Sequence, residues 1–291
     1  MLSITAPAAM RAHAFEARRA GRRIGFVPTM GALHAGHLSL VGVARGRADV
    51  VALSVFVNPL QFGPGEDFAS YPRDLRRDAE LAAAAGVDVL WAPTAEAMYP
   101  EPPQVTVAPG PAGDRLEGAV RPGHFGGVLT VVAKLFGVVQ PDLAVFGRKD
   151  VQQAALIRRM VRDLGFPVEV VVAPTARAAD GLALSSRNAY LDAAGRARAA
   201  TIPAALGRAV EAFRAGERRA APLADAARRV LEAERGLSVD YVACVGPDDL
   251  EPLTAVDERS VLAAAVRVGG TRLIDNVVLA AGLEGDIRVA G

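Results

Sequence analysis

A regular alternation of short apolar runs with helical segments, between residues 23 and 172, is the feature that most constrains the fold. Residues 49–57 (DVVALSVFV) form an almost continuous valine-rich run, which is typical of a strand covered on both faces. An alanine-rich helical segment follows at residues 73–85, and the next apolar run at residues 87–91. A further helix is predicted from about residue 128 to residue 136. Strands that alternate with helices of about ten to fifteen residues predict right-handed βαβ units and a doubly wound parallel sheet.

The texture of the chain changes near Ala176, where we expect a domain boundary. An alanine- and arginine-rich helical segment at residues 193–215 is followed by strand-like runs, the last two joined by Gly269-Gly270. A two-residue glycine turn is typical of a β-hairpin. We therefore predict a doubly wound α/β domain at residues 1–176 and a smaller C-terminal α+β domain at residues 177–291.

Charge and cysteine content restrict the partners and the compartment. The 33 Lys and Arg residues against 32 Asp and Glu residues give a net charge of +1, so no overall field attracts nucleic acid or an anionic membrane. Cys244 is the single cysteine, which excludes an internal disulfide, and we expect Cys244 and Trp91 to lie in the core. No leader-like segment opens the chain, and no apolar run reaches the roughly 18 residues of a membrane span. We expect a cytoplasmic protein with small-molecule partners.

The motif with the most chemical content is PTMGALHAGH at residues 28–37, between a predicted strand and the helix that follows it. In open α/β sheets ligands bind at the carboxyl ends of strands, and a helix N-terminus attracts phosphate. Gly31 and Gly36 allow close backbone approach, and His34 and His37 can both face a phosphate from the first helical turn. We therefore predict a phosphate site here.

Two familiar phosphate-binding signatures are missing from this position. The chain has no GxxxxGK[ST] loop, which argues against a kinase-type cradle, and no GxGxxG after the first strand, which argues against a dinucleotide oxidoreductase. The chemistry therefore points toward attack on the α-phosphate of a nucleotide.

A second strand-to-helix junction carries VFGRKDVQQ at residues 145–153. Gly147 permits close approach to a ribose or phosphate, and the ammonium group of Lys149 suits anionic oxygens. Asp150 can accept from a ribose hydroxyl, and Gln153, about one turn further on, can hydrogen-bond a polar substrate. Taken alone, the segment is equally well read as a helix cap followed by a solvated Arg-Lys pair.

Two further loops have polar side chains suited to binding. In DGLALSSRN at residues 180–188, Ser185, Ser186 and Arg187 offer hydroxyl and guanidinium donors to a polyphosphate, although such a run often marks only a solvated helix start. In NPLQFG at residues 58–63, the two amide side chains can read hydroxyls and a carboxylate, although Asn-Pro after a strand is also a good turn.

The motifs PTMGALHAGH, VFVNPLQFG, YPRD, RPGHF, VFGRKDVQQ and LALSSRN, in this order, resemble those of the pantothenate synthetase (pantoate–β-alanine ligase) family. The match is dense over residues 28–188 and weaker at residues 272–276 (RLIDN). The resemblance implies a Rossmann-like sheet of the HUP/nucleotidyltransferase type with an HxGH site. Residues 184–187 are similar to the KMSKS-like loop of that superfamily.

The resemblance implies a two-step reaction. The carboxylate of (R)-pantoate attacks the α-phosphate of ATP, and the amine of β-alanine then attacks the pantoyl adenylate to give pantothenate and AMP. We expect residues 1–176 to form the ATP- and pantoate-binding domain. Because the boundary falls between the two halves of the phosphate-binding set, we also expect residues 177–291 to act as a lid. Mg²⁺ is expected on the phosphates, held by water and phosphate oxygens rather than by protein ligands. A homodimer is also implied.

The motifs and the resemblance together assign the site residues. Catalysis is assigned to His34, His37 and Lys149. ATP binding is assigned to Met30, Gly31, Ala32, Leu33, His34, Ala35, Gly36, His37, Gly147, Arg148, Lys149, Asp150, Ala176, Leu184, Ser185, Ser186 and Arg187. Pantoate binding is assigned to Met30, Gln61 and Gln153, and β-alanine binding to Gln61. Asp78 is a candidate outer-shell contact of Mg²⁺, and His124 either shapes a loop over the site or has no role.

Three positions depart from the family pattern: Arg148 replaces a usual acidic residue, Val151 a common aromatic one and Leu184 a common Met. Arg148 either raises the positive potential beside the nucleotide or points to solvent. An adenylyltransferase that keeps the nucleotide on its product would also need an HxGH site, and a regulatory protein with a silent site is a third reading. Gln61 and Gln153 favour the ligase, and the retained histidines and lysine argue against a silent site.

Overall fold

The valine-rich run predicted at residues 49–57 forms a strand, Val50–Val55, and only its last residue is partly exposed. The computed structural model describes residues 1–289. It consists of two compact units, the first made of Met1–Gly147 and Leu156–Ala173, the second of Arg148–Ala155 and the chain from Pro174 onward. The division after residue 176 and the lid role of the second domain stay predictions.

Six parallel strands form the sheet of the first unit. They are β1 (Leu2–Ile4), β2 (Ile24–Thr29), β3 (Val50–Val55), β4 (Val89–Trp91), β5 (Leu143–Gly147) and β6 (Glu169–Ala173). Their order across the sheet is β1-β4-β3-β2-β5-β6. The chain winds from β2 outward through β3 and β4 and then crosses to the other side of β2 to form β5. The predicted doubly wound sheet is thus confirmed, and its switch point lies at the carboxyl ends of β2 and β5.

Helices pack on both faces of this sheet. The helices between residues 7 and 164 are α1 (Pro7–Arg19), α2 (Ala35–Arg45), α3 (Leu75–Ala84), α4 (Ala95–Met98), α5 (Glu117–Val120), α6 (His124–Val139) and α7 (Val151–Leu164). Successive residues of β3 alternate between two apolar clusters: Val50 and Ala52 join one, and Val51 and Leu53 join the other. This period of two explains why the strand reads as continuously apolar. Trp91 is fully buried in the first cluster, as expected.

Helix α6 begins at His124, four residues before the predicted start near residue 128. Glycines weaken a helical sequence pattern, so the presence of Gly126 and Gly127 explains why the sequence did not predict this first turn. A Cβ atom on Gly127 would lie 2.1 Å from the carbonyl oxygen of Leu60, so this glycine allows the helix to touch the turn after β3. Strand β1 has only three residues, two of them exposed, and gave no signal.

The second unit contains a three-stranded antiparallel sheet with helices packed against it. Its elements are β7 (Ala176–Arg177), α8 (Ala193–Ala199), α9 (Thr201–Arg214), α10 (Ala220–Ala233), β8 (Leu237–Val245), β9 (Val261–Val268), β10 (Thr271–Val278) and β11 (Ile287–Arg288). The larger sheet has the order β10-β9-β8, while β11 pairs with β7. The smaller α+β domain and the hairpin at Gly269-Gly270 are confirmed.

The helical segment at residues 193–215 of the second unit differs from its prediction. The prediction of a single helix there is wrong, because the segment forms two helices, α8 and α9. Pro203 cannot donate a backbone hydrogen bond, and it lies in the first turn of α9, where no donor is needed.

Cys244 is buried in the core of this unit, as expected. Among residues 1–289, no helix combines the length and apolar content needed to cross a bilayer.

Candidate active site

The two histidines of HxGH lie where β2 passes into α2. His34 is the N-cap of α2, with extended backbone, and its Nδ1 accepts a hydrogen bond of 3.1 Å from the backbone N–H of Gly36. Because Nδ1 accepts here, the ring proton lies on Nε2. The rings of His34 and His37 have centroids 4.1 Å apart. The sequence pattern therefore places two adjacent imidazole rings at the N-terminus of a helix, at the carboxyl end of an interior strand.

The loop before His34 is fixed by a buried carboxylate on α3. Asp78 accepts from the backbone N–H of Ala32 at 3.0 Å and from that of Leu33 at 2.7 Å. Ala32 has a positive φ of 50°, a strained conformation that such bonds help to maintain. Gly31 also has a positive φ, and a Cβ atom there would lie 2.8 Å from the carboxylate of Asp78. Burial raises the pKa of Asp78, and the two N–H donors oppose that rise.

This geometry gives Asp78 a role that the sequence did not reveal, which is to hold the backbone of the loop between β2 and α2. Its assignment as an outer-shell contact of Mg²⁺ stays a prediction. Within residues 1–289, no group of three or more His, Cys, Asp or Glu side chains is arranged to hold a metal ion.

The side-chain amide of Gln61 is buried and oriented by its neighbours. Its Oε1 accepts from Nδ2 of Asn58 at 3.0 Å, and its Nε2 donates to the sulfur of Met30 at 3.2 Å. Asn58 is held in turn by the hydroxyl of Tyr99 and by the carbonyl of Gly127. The structure thus brings together Gln61 and Met30, two of the three residues assigned to pantoate.

The backbone at Gln61 is clamped by the RPGHF segment. Nδ1 of His124 lies 2.8 Å from the carbonyl oxygen of Gln61, which can only accept, so the ring proton is on Nδ1. Nε2 then accepts from Arg121, whose guanidinium also forms a half-buried ion pair with Glu66. Burial, together with the charge of Arg121, lowers the pKa of His124 to about 4. These contacts favour loop shaping over the alternative of no role for His124.

In the second unit, Lys149 lies in a short 3-10 helix, Arg148–Asp150, directly before α7. Its side chain is largely buried, and its Nζ lies 3.6 Å from Oδ1 of Asp150. The interpretation of Arg148 as a solvated residue is wrong. Its guanidinium pairs with the buried carboxylate of Asp286, which offsets its charge. Gln153, on the first turn of α7, is partly buried.

The SSR loop is tied to the strand that begins at Ala176. The backbone N–H of Leu184 donates to the carbonyl of Ala176 at 2.9 Å, so two segments assigned to ATP are joined directly. Ser185 caps the short 3-10 helix Ser186–Tyr190 by accepting from the N–H of Arg187. The structural interpretation of this loop as a helix start is therefore correct, and it leaves the hydroxyl proton of Ser185 unused by that bond.

A buried ionic network connects these segments of the second unit, and sequence reasoning missed it. Arg177 is fully buried and donates to both oxygens of Asp275, at 2.6 and 2.9 Å, and to Asp286 at 2.5 Å. Burial alone would lower the pKa of Arg177, but the two carboxylates outweigh it and the pKa is raised. Removing one partner of such a pair costs about 3–5 kcal/mol. No local pattern links residues that lie nearly a hundred positions apart.

The fold and these residues define a class: a doubly wound α/β protein with a histidine-capped helix N-terminus at the carboxyl end of an interior strand. Comparison with known proteins identifies the family within this class. A family model described as pantoate-beta-alanine ligase matches residues 3–278. The chain is 55% identical over 272 residues to the pantothenate synthetase of Moorella thermoacetica, covering 94% of this chain and 96% of that protein. It is 51% identical over 280 residues to that of Rhizobium rhizogenes, covering 96% of each.

Solved structures agree with this result. Pantothenate synthetase from Thermus thermophilus matches with a TM-score of 0.91 at 49% identity, covering 96% of this chain and 99% of that one. The ligase from Francisella tularensis, complexed with beta-gamma ATP and beta-alanine, matches with a TM-score of 0.79 at 32% identity, covering 97% and 99%. The chain belongs to the pantoate–β-alanine ligase family. Its reaction is the ATP-dependent condensation of pantoate with β-alanine, so the chain is an amide-forming ligase.

Proposed function

We propose that the chain performs this condensation through a pantoyl adenylate. The carboxylate of (R)-pantoate forms a bond to the α-phosphorus of ATP while the bond to pyrophosphate breaks. The amine of β-alanine then attacks the carbonyl carbon of the adenylate, and AMP leaves as the amine loses its proton. A carboxylate is a poor acylating agent until its oxygen belongs to a good leaving group, which is what adenylation supplies.

The observation that carries this proposal is the N-cap geometry of His34. Its Nδ1 caps the helix, so its N–H group is at Nε2, and the ring of His37, on the first helical turn, lies beside it. In the first step negative charge builds on the departing pyrophosphate, and donors positioned for that charge lower the barrier more than donors that meet only bound ATP. His37 acts either as a proton donor or through its charge.

The remaining ATP contacts belong to the same proposal. Lys149, Ser185, Ser186 and Arg187 offer donors to the phosphates, and Asp150 offers an acceptor to a ribose hydroxyl. Backbone contacts complete the nucleotide site, at Met30, Gly31, Ala32, Leu33, Ala35, Gly36, Gly147, Arg148, Ala176 and Leu184. Bound with the phosphates, Mg²⁺ would supply positive charge that offsets part of the pyrophosphate charge, and it would need few direct protein ligands.

Pantoate is assigned to the amide groups of Gln61 and Gln153 and to the backbone of Met30, with β-alanine also at Gln61. Support comes from the fixed orientation of Gln61, whose Oε1 is engaged by Asn58. An oriented amide can donate to a carboxylate or a hydroxyl without adding a charge that would need a partner. The homodimer and the cytoplasmic location are further parts of the proposal, and analytical ultracentrifugation tests the first.

The experiment that tests the two-step route is the substrate dependence of product release. Pyrophosphate should form when ATP and pantoate are supplied, and AMP should be released at a sustained rate only when β-alanine is added. His37→Ala should lower the rate of pyrophosphate formation by about a hundredfold or more. Sustained AMP release without β-alanine, or a stable adenylylated product in its presence, contradicts the proposal.

A further inference from the structure

The RLIDN segment at residues 272–276 has no part in the chemistry proposed above. It lies on β10 of the second unit, and its last residue, Asn276, is 1% exposed. Nδ2 of Asn276 donates to two consecutive backbone carbonyls, that of Arg148 at 2.9 Å and that of Lys149 at 2.8 Å. One buried amide group therefore binds the backbone of the short helix that carries Lys149.

Asn276 is itself held firmly by the buried ionic network. Its backbone N–H donates to Oδ1 of Asp275 at 2.8 Å, and its carbonyl accepts from Arg177 at 3.3 Å. Arg177 binds Asp275 through two further hydrogen bonds. The same guanidinium donates to the carbonyl of Gly181, at the start of the loop that leads to Ser185. The position of Asn276 is thus set from both sides of its own backbone.

The chemistry at this position requires an amide. Two carbonyl oxygens face Nδ2, and an NH₂ group supplies one hydrogen to each, whereas a carboxylate of the same shape would bring only acceptors. The other end of the side chain, Oδ1, is buried without a hydrogen-bond partner in the described part of the chain. A buried acceptor left in this state costs stability, so the side chain is not explained by packing alone.

We propose that Asn276 is a positioning residue for Lys149. It fixes the carbonyls of the Arg148–Asp150 helix, and so fixes the direction in which the Lys149 ammonium leaves the backbone. Asp275 and Arg177 act behind it by holding Asn276 in register. This inference rests on the proposed function, because it assumes that Lys149 meets the phosphates of ATP.

The test is a double-mutant cycle between Asn276 and Lys149. Asn276→Ala should lower the rate of pantoate-dependent pyrophosphate release about tenfold to a hundredfold, because small displacements of a charge-stabilising group have effects of this size. Asn276→Asp should lower this rate by at least the same factor. In a Lys149→Ala background, the additional Asn276→Ala change should lower the rate by less than about twofold, since its effect passes through Lys149.

Ser260→Ala is the matched control, because Ser260 is a similarly buried polar residue of the same unit whose hydroxyl bonds only locally, to Asp257. It should lower the melting temperature without changing the rate at 25 °C. Equal fold losses from Asn276→Ala in both backgrounds, or loss of rate in Ser260→Ala as well, would overturn the positioning role in favour of general loosening. If Lys149→Ala alone leaves the rate unchanged, the proposed function of Lys149 fails, and that result is seen independently of Asn276.

Discussion

The imidazole rings of His34 and His37 lie against each other in a tilted arrangement, with centroids 4.1 Å apart and planes inclined by 33°. The stack forms because His34 caps α2 from outside the helix while His37 lies on its first turn, three positions on. The ring of His34 thus caps the helix through Nδ1, and the proposed function gives its Nε2 a second role, that of a donor to a ligand. Substitution can separate these duties.

His34→Asn should separate the cap from the chemistry. Asn is a good N-cap, so this variant should unfold at nearly the same urea concentration as the original chain, whereas His34→Ala should lose about 1 kcal/mol. Both variants should lose about a hundredfold or more in pyrophosphate release, because both lack the Nε2 donor. A His34→Asn variant with nearly unchanged activity would show that the residue is only a cap.

Two neighbouring glycines of α6 should respond to alanine in opposite directions. At Gly126 a new Cβ atom meets nothing closer than 3.9 Å, so Gly126→Ala should raise the free energy of unfolding by about 0.5–1 kcal/mol. At Gly127 the Cβ atom would lie 2.1 Å from the carbonyl oxygen of Leu60, so Gly127→Ala should lower it by about 1–3 kcal/mol. It should also raise the KM for pantoate, because the Gln61 turn must move. Equal effects at both positions would contradict the close contact.

The clamp at His124 should make stability depend on pH. The folded pKa of about 4 lies below the ordinary value of 6.5, so the unfolded chain binds more protons between these values and stability falls as the solution is acidified through that window. Between pH 7 and pH 4.5 the loss from this group is about 2 kcal/mol. His124→Gln cannot titrate and should lack this part of the loss in urea titrations. Parallel pH profiles for the two proteins would show that His124 is not responsible.

Asp78→Asn should weaken the hold on the loop between β2 and α2, since an amide keeps one acceptor and turns an NH₂ group toward the second backbone N–H. The expected loss is about 1–3 kcal/mol in the free energy of unfolding, with slower pyrophosphate release. Asp74→Asn is the matched control. Asp74 caps the same helix, and Asn is an equally good cap, so stability should hardly change. A loss at Asp74 as large as that at Asp78 would point to the charge of the helix rather than to the loop.

The sheet of the first unit was predictable because its strands are buried on both faces and its helices have regular apolar spacing. The site motifs were visible for a related reason, since a strand that ends in glycine and histidine before a helix is a local pattern. Strand β1 failed this test because three residues carry too little periodicity. The predicted start of helix α6 was too late because its first turn contains two glycines, of which Gly127 allows a contact with Leu60, far away in sequence.

What the sequence could not reveal were the partners of charged residues. Arg148 looks like a solvated residue beside Lys149, and only the folded chain brings Asp286 to it. Asp78 looks like one more acid on an amphipathic helix until its two loop partners are known. Such pairings depend on tertiary contacts between residues that are remote in the chain, and no window of local sequence contains both members.

The placement of the only tryptophan and the only cysteine has a practical consequence. Trp91 is fully buried in the first unit, and Cys244 is buried in the second, where burial raises the pKa of its thiol to about 11. Emission from the indole therefore reports solvent entry into one unit, while modification of the thiol, which needs the thiolate, reports exposure of the other. Following indole emission and thiol modification in one sample can therefore show whether the two units unfold together or one after the other.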